Sequence, residues 1–439
     1  MVKKINFLVL SIVLCSPFLL WIGCGTPRPA NIIVKNYPSG LKVIIQEIPD
    51  SKVSALQFWI KTGSINETPE INGISHFLEH LLFKGTKNRP SPNQIFNEME
   101  SLGAYFNAAT SYDFTYYYID IPAEKTFKAL EVLSDLTLNP LWPAPEIEKE
   151  RKVVIEELRR GLDDPDRELY EKHAELIFGK NHPYGRTVIG PQKNLEKISR
   201  ETLIEYFKTW YNPAHLTIVI AGPISKSVLL KQIENEFSLS QGINPQAKRK
   251  YPGVFIPTQN IEQSVKGEVK NTKFMLSFLV PGVKSSDSYA LDLIATYLGS
   301  GRSAKLYQIL KAEKNIVESI GVNYGTRRED SLFTILGSCD SKNLLQVKKE
   351  ILVILENLKK TGLAPAELNK TKQKIVADKA FEKETVSGLA SDVGYYATVG
   401  KEQYAFDYLK NIKKMTASDT QRIANQYFKY YFFTIMEPK

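Results

Sequence analysis

Between Ser238 and Gly253 the chain loses its periodic hydrophobic pattern, and this lapse constrains the fold more than any other feature. The stretch is rich in Ser, Gly and Pro and carries a short basic run, Lys248-Arg249-Lys250, the composition of a solvated linker. It separates residues 31–240 from 253–439, two halves of similar length joined through 241–252. Both halves open in the same order: a strand (Leu56 to Lys61; Phe274 to Val280), a loop, then a long amphipathic helix (from Gly73; from Ser286). A shared order predicts two copies of one unit mixing strands and helices.

The remaining pattern fills in the first copy. Leu41 to Gln46, Val53 to Lys61, Tyr105 to Ala109, Phe114 to Ile121 and Leu216 to Ala221 read as strands. Ile74 to Lys84, Glu124 to Leu138 and Pro145 to Arg160 read as helices, the first stopped by Gly85. With 43% hydrophobic and 24% charged residues, the chain is neither disordered, collagen-like nor a polytopic membrane protein. Its net charge of +9 is not gathered into a stripe, so no nucleic-acid partner is expected.

The N-terminus sets a location. Lys3 and Lys4 precede an apolar run ending in Trp21-Ile22-Gly23-Cys24, and Gly25-Thr26-Pro27-Arg28-Pro29 follows. This resembles a bacterial lipoprotein signal: residues 1–23 are removed, Cys24 carries lipid, and 24–30 form a tether. The other reading is an uncleaved anchor, because about 19 apolar residues approach the length of a membrane span. Either way the folded part is expected in the cell envelope, facing the periplasm or exterior. Cys15 falls in the leader, so Cys339 stands alone, in an apolar run that reads as a buried strand. No disulfide within the folded region and no catalytic thiol are expected.

The chemistry is concentrated in His76-Phe77-Leu78-Glu79-His80. On a helix, Ile74, Phe77, Leu78, Leu81 and Leu82 share one face, while His76, Glu79 and His80 share the opposite one. Histidines at i and i+4 project from adjacent turns, the spacing needed to chelate one ion, and Glu79 can reach a water on it. Histidine is only 5 of 439 residues, so chance seldom supplies such a group. A third ligand is expected from the helix beginning at Pro145, where spacing leaves Glu156 and Glu157 both open; Glu150 and Glu157 lie two turns apart on one face.

His-x-x-Glu-His followed by Glu150-Arg151-Lys152-Val153-Val154-Ile155-Glu156-Glu157 resembles the M16 (pitrilysin-like) zinc metallopeptidases. Gly103 to Thr110, Asp113 to Tyr117, His182-Pro183-Tyr184-Gly185 through Gly190, and Tyr211 to His215 extend the resemblance over most of the chain. It implies an α+β fold of two similar domains, each a mostly antiparallel sheet covered by helices. It also implies one Zn²⁺ per chain on His76, His80 and Glu157, with Glu150 orienting a ligand and Glu79 as the general base. Two neutral imidazoles and one carboxylate leave the ion net positive, lowering the pKa of its water toward about 7. The implied substrate is a peptide adding as an extended strand along Asn107, Ala108, Ala109 and Thr110.

One departure stands out. The family's second half carries an Arg and a Tyr seven residues apart that bind substrate and stabilise the oxyanion. Here Lys311 and Glu318 occupy those positions. Lysine lacks the bidentate fork, and an ionised Glu would repel the developing charge. The expectation is therefore the zinc-bearing subunit of a heterodimer whose homologous partner supplies the pair, or a homodimer; Tyr324 or Arg302 could substitute locally. Gly299-Ser300-Gly301-Arg302-Ser303 lacks the ending of a phosphate loop and reads as a turn. His173, His182 and His215 have no metal-like spacing and read as structural.

Overall fold

The computed structural model describes residues 31–237 and 251–439. The leader, the tether with Cys24, and linker residues 241–250 lie outside these residues. Among the described residues no helix is long and apolar enough to cross a membrane.

Six strands build the first sheet: β1 (Ile32–Asn36), β2 (Lys42–Glu47), β3 (Val53–Ile60), β4 (Tyr105–Thr110), β5 (Thr115–Pro122) and β6 (Leu216–Gly222), in the order β1-β2-β6-β3-β5-β4. Five build the second: β7 (Ile261–Gly267), β8 (Thr272–Val280), β9 (Ser319–Gly325), β10 (Ser331–Cys339) and β11 (Phe432–Pro438), in the order β7-β11-β8-β10-β9. Removing β1 makes the two orders equivalent. Each sheet has one parallel pair, β2 with β6 and β7 with β11, and each is otherwise antiparallel. The fold is thus α+β with two copies of one topology, and the shared order of elements in the sequence was its trace.

Continuous apolar strands follow from burial on both faces. β6 is buried along its whole length and β3 from Ser54 to Ile60. One face of the first sheet packs on the helices Ile74–Leu82, Thr126–Leu138 and Ala144–Leu162. The other receives a helix from the second half, Val386–Val399, whose Ala390, Val393 and Ala397 cluster with Trp59 and Val219. Gly394 is required there, because a Cβ would come within 2.3 Å of Trp59 Nε1.

The exchange is reciprocal. Helix Pro165–Phe178, from the first half, lies on the second sheet, with Leu169 packed among Met275 and Met436. Its buried His173 bonds Thr434 Oγ1 at 2.8 Å through Nδ1 and Ser277 Oγ at 2.6 Å through Nε2. In return Arg327, from the β9–β10 turn, sits 4.5 Å from the Tyr184 ring and 4.6 Å from the Tyr112 ring. Each sheet is therefore closed by a helix of the other half.

Candidate metal centre

The histidine helix, Ile74–Leu82, forms because its apolar face is wholly buried: Ile74, Phe77, Leu78, Leu81 and Leu82. It starts at Gly73, whose φ of +105° and 2.4 Å Cβ approach to the Ile189 carbonyl both demand glycine. The segment His182 to Gly190 thereby seats the start of this helix. The helix has no local side-chain cap; buried Glu67 serves instead. Its carboxylate accepts from Gly73 N at 2.9 Å, Ser75 N at 2.8 Å and Asn72 Nδ2 at 2.8 Å. An acidic group at a helix N-terminus also opposes the helix dipole. Burial pushes the Glu67 pKa up, and these hydrogen bonds only partly offset it.

His76 and His80 stand with ring centroids 4.7 Å apart. Glu157, on helix Ala144–Leu162, brings Oε1 within 3.7 Å of His76 Nε2 and Oε2 within 3.5 Å of His80 Nε2. Zinc bonds of about 2.0–2.2 Å at tetrahedral angles place neighbouring ligand atoms about 3.4 Å apart, so these donors fit zinc. Among the described residues they form the one such group of histidines, cysteines and carboxylates. Glu156 instead points to Arg159, 3.5 Å away, which settles the ambiguity left by spacing. The Glu157 side chain is 47% exposed, so the group has an open side as a catalytic site requires.

The two imidazoles sit in different electrostatic surroundings. Burial, then the charges of His80 and Arg167, push the His76 pKa down to about 3, leaving a neutral ring. His80 differs. Burial lowers its pKa, but the hydrogen bond it donates to Glu150 and the charges of Glu79, Glu150 and Glu157 outweigh this, and the net shift is upward. Glu150 Oε1 meets His80 Nδ1 at 2.8 Å, and Lys84 Nζ lies 2.7 Å from Glu150 Oε2. A carboxylate on Nδ1 fixes the tautomer that leaves Nε2 free to ligate. Glu150 is only 4% exposed; despite burial, its two partners hold its pKa below the usual range. His76 Nδ1 is buried without a partner.

Glu79 Oε2 accepts from Thr110 Oγ1 at 2.6 Å, which places this carboxylate at the end of β4. Burial raises its pKa, against the Thr110 hydrogen bond and the charge of His80. Among the described residues β4 pairs with β5 alone, so Asn107, Ala108, Ala109 and Thr110 lie on an open sheet edge. The cleft beside it, of about 310 Å³, is lined by His76, Thr110, Tyr112, Glu157, Arg167 and Tyr170, among others.

The structure does not bring every candidate here. Lys311 lies on a π-helical turn, Tyr307–Glu313, and exposed Glu318 precedes β9, where Asn271 Nδ2 donates to it at 2.5 Å. No hydrogen bond or ion pair links either to the metal group among the described residues. Gly301 occupies a left-handed turn. His182 stacks on Phe178 and His215 packs at a tilt against Trp210, and neither joins the group. Cys339 is buried in β10. Glu67, Lys84 and the Thr110 contact escaped sequence reasoning; only Lys84, one turn beyond His80, left a periodic signal.

Comparison with known proteins agrees with this geometry. Residues 42–192 match the family described as insulinase (peptidase family M16), and residues 197–375 match the peptidase M16 inactive domain. The chain is 28% identical over 400 residues to a Bacillus subtilis protein named uncharacterized zinc protease YmxG, covering 90% of this chain and 96% of that one. It is 26% identical over 406 residues to the beta subunit of the mitochondrial-processing peptidase of Dictyostelium discoideum, covering 88% and 84%. A Helicobacter pylori protease of known structure superposes with a TM-score of 0.83 at 26% identity, covering 93% and 99%. With both halves matched in order and the inverted metal motif in place, the chain belongs to the M16 peptidase family.

Proposed function

We propose that this chain is a zinc endopeptidase that hydrolyses peptides or unfolded segments. The observation that carries the reading is the convergence of His76, His80 and Glu157, with Glu79 held by Thr110 at the end of an open sheet edge. A zinc ion on the three ligands supplies a Lewis acid that polarises the scissile carbonyl and acidifies water. Glu79 takes the proton of the attacking water and delivers it to the leaving amine, and its raised pKa suits both transfers. Glu150 fixes the His80 ring, and Lys84 balances the Glu150 charge. Substrate adds as a strand along Asn107, Ala108, Ala109 and Thr110. There the Asn107 side chain accepts from Ala108 N at 2.8 Å, a bond that a substrate backbone replaces.

Glu318 offers no oxyanion donor and Lys311 lacks the fork of an arginine, so the active species includes a homologous subunit carrying an Arg and a Tyr; a homodimer is the other assembly. The leader supports lipid attachment at Cys24, hence a tether to a membrane of the bacterial cell envelope, with the peptidase facing the periplasm or exterior. The second reading is a non-catalytic structural or peptide-binding subunit, favoured by the Lys311 and Glu318 exchanges. Cleavage of an unstructured peptide, followed with the chain alone and with a homologous subunit bearing the Arg/Tyr pair, tests both. Turnover only in the mixture supports the heterodimer, full turnover by the chain alone removes the partner requirement, and none in either supports the scaffold.

A further inference from the structure

Arg167, on helix Pro165–Phe178, lines the metal cleft beside His76 and Glu157, a cation next to a group of cation ligands. Its charge reaches the His76 ring and helps to keep it neutral. Gly161 makes this placement possible. It stands one helical turn after Glu157 on helix Ala144–Leu162, and so on the same face. A Cβ at 161 would lie 1.7 Å from Arg167 Nη1, so the guanidinium fills the space that a side chain there would take.

The guanidinium is oriented from one edge only. Its Nε donates to Glu171 Oε1 at 2.8 Å, one turn along the same helix, and among the described residues this is its only hydrogen bond or ion pair. The pair is neutral overall, so the site is marked by geometry and not by surplus charge. With Nε tied back, both Nη groups remain as donors, and the side chain is 26% exposed. Two carboxylates line the cleft: Glu157 faces the two histidines and Glu171 faces Arg167 Nε. Arg186 also lines it, but turns Nη2 to the Glu67 carbonyl at 2.9 Å. Ala174, Val188 and Ile189 add an apolar wall.

We propose that Arg167 is a specificity-determining residue that binds a carboxylate of the peptide close to the scissile bond: an Asp or Glu side chain, or the peptide's own C-terminus. The proposal rests on the reading that a peptide occupies the metal cleft. A guanidinium presents paired N–H donors that match carboxylate oxygens. Held from behind by Glu171, it loses little side-chain freedom on binding. The apolar wall accommodates the aliphatic stem of an acidic residue. A basic side chain gains less, because it meets Glu171 only in competition with Arg167.

The test uses the full chain and an unstructured, fluorescein-labelled peptide in several versions: amidated with Glu, Gln or Lys at alternating positions, and the Gln version with a free C-terminus. Anisotropy titration of metal-free protein reads binding, and mass spectrometry after zinc loading reads the residues flanking each cut. The expected result is about tenfold tighter binding of the Glu version than of the Gln version, weakened by salt, with Glu enriched beside the cuts. Arg167→Gln should abolish the preference, and Arg167→Glu should turn it toward Lys. Gly161→Ala should abolish it too, because a methyl group displaces the guanidinium while alanine favours the helix. That variant therefore keeps the test decisive if those at 167 fail to fold. Tight binding of the Gln version with a free C-terminus identifies the terminus, rather than a side chain, as the bound group. Equal binding of all versions, or a Glu preference undiminished in both Arg167→Gln and Gly161→Ala, overturns the proposal. Acid-selective binding without cleavage would remove the peptidase reading alone, and cleavage without acid preference would remove this proposal alone.

Discussion

Replacing Glu150 tests how much of the metal site lies outside its ligands. Its carboxylate joins His80 Nδ1 at 2.8 Å and Lys84 Nζ at 2.7 Å, and it is nearly enclosed. A hydrogen bond to a charged group contributes about 1.5–3 kcal/mol. Loss of such an outer partner typically costs 10–100-fold in metal affinity, or about 1.4–2.7 kcal/mol. The two estimates agree, so Glu150→Ala should weaken zinc binding about a hundredfold. Glu150→Gln keeps one acceptor toward His80 and should weaken it about tenfold. The metal-free protein should also lose about 1–2 kcal/mol, less than a fully buried pair would cost, because Lys84 is 20% exposed and can reach water. The sign of the pH dependence follows from the depressed Glu150 pKa. Its stabilisation is present above the usual 4.5 and is lost as pH falls through the lower folded value, so wild type and variant converge in acid. Zinc competition against a chromophoric chelator reads the affinity, urea unfolding reads the stability, and Glu156→Gln is the control. A Glu150→Gln affinity within twofold of wild type, or equal to that of Glu156→Gln, would refute the assigned role.

Three further outcomes are expected. Glu67→Ala strips acceptors from the Gly73 and Ser75 amides at the buried start of the histidine helix and should cost about 2–4 kcal/mol in urea unfolding. Gly394→Ala drives a methyl group into the Trp59 indole and should cost about 1–3 kcal/mol, with a shift in tryptophan emission as the halves separate. His76, with its pKa depressed to about 3, contributes stability above pH 6.5 that is lost as pH falls toward 3; His76→Gln should flatten that limb in metal-free protein, measured as Tm against pH.

What the sequence disclosed was what local periodicity encodes. The His76/His80 pair was legible because adjacent turns of one helix set their spacing, and β3 and β6 because both faces are buried. Choosing Glu157 over Glu156 needed either a family resemblance or the helix packing, since spacing is blind to a rotation of one residue. Glu67 was invisible because it caps a helix from outside the usual capping position, after an intervening turn. The exchange of helices Pro165–Phe178 and Val386–Val399 was equally hidden, because an apolar face does not record which half it covers. His173 reads as an isolated histidine until its two hydroxyl partners arrive from β8 and β11.

In the proposed mechanism Glu79 moves protons while His76, His80 and Glu157 hold the ion. Glu79 accepts a hydrogen bond from Thr110 and is not one of the three converging donors. Glu79→Gln keeps the shape and removes the base. Zinc content per chain, measured beside peptide turnover for wild type and Glu79→Gln in the same assembly, decides the matter. One zinc in both proteins and a loss of turnover of at least about a hundredfold in the variant are expected. Undiminished turnover in Glu79→Gln, or absence of zinc from the wild-type chain, would contradict that mechanism.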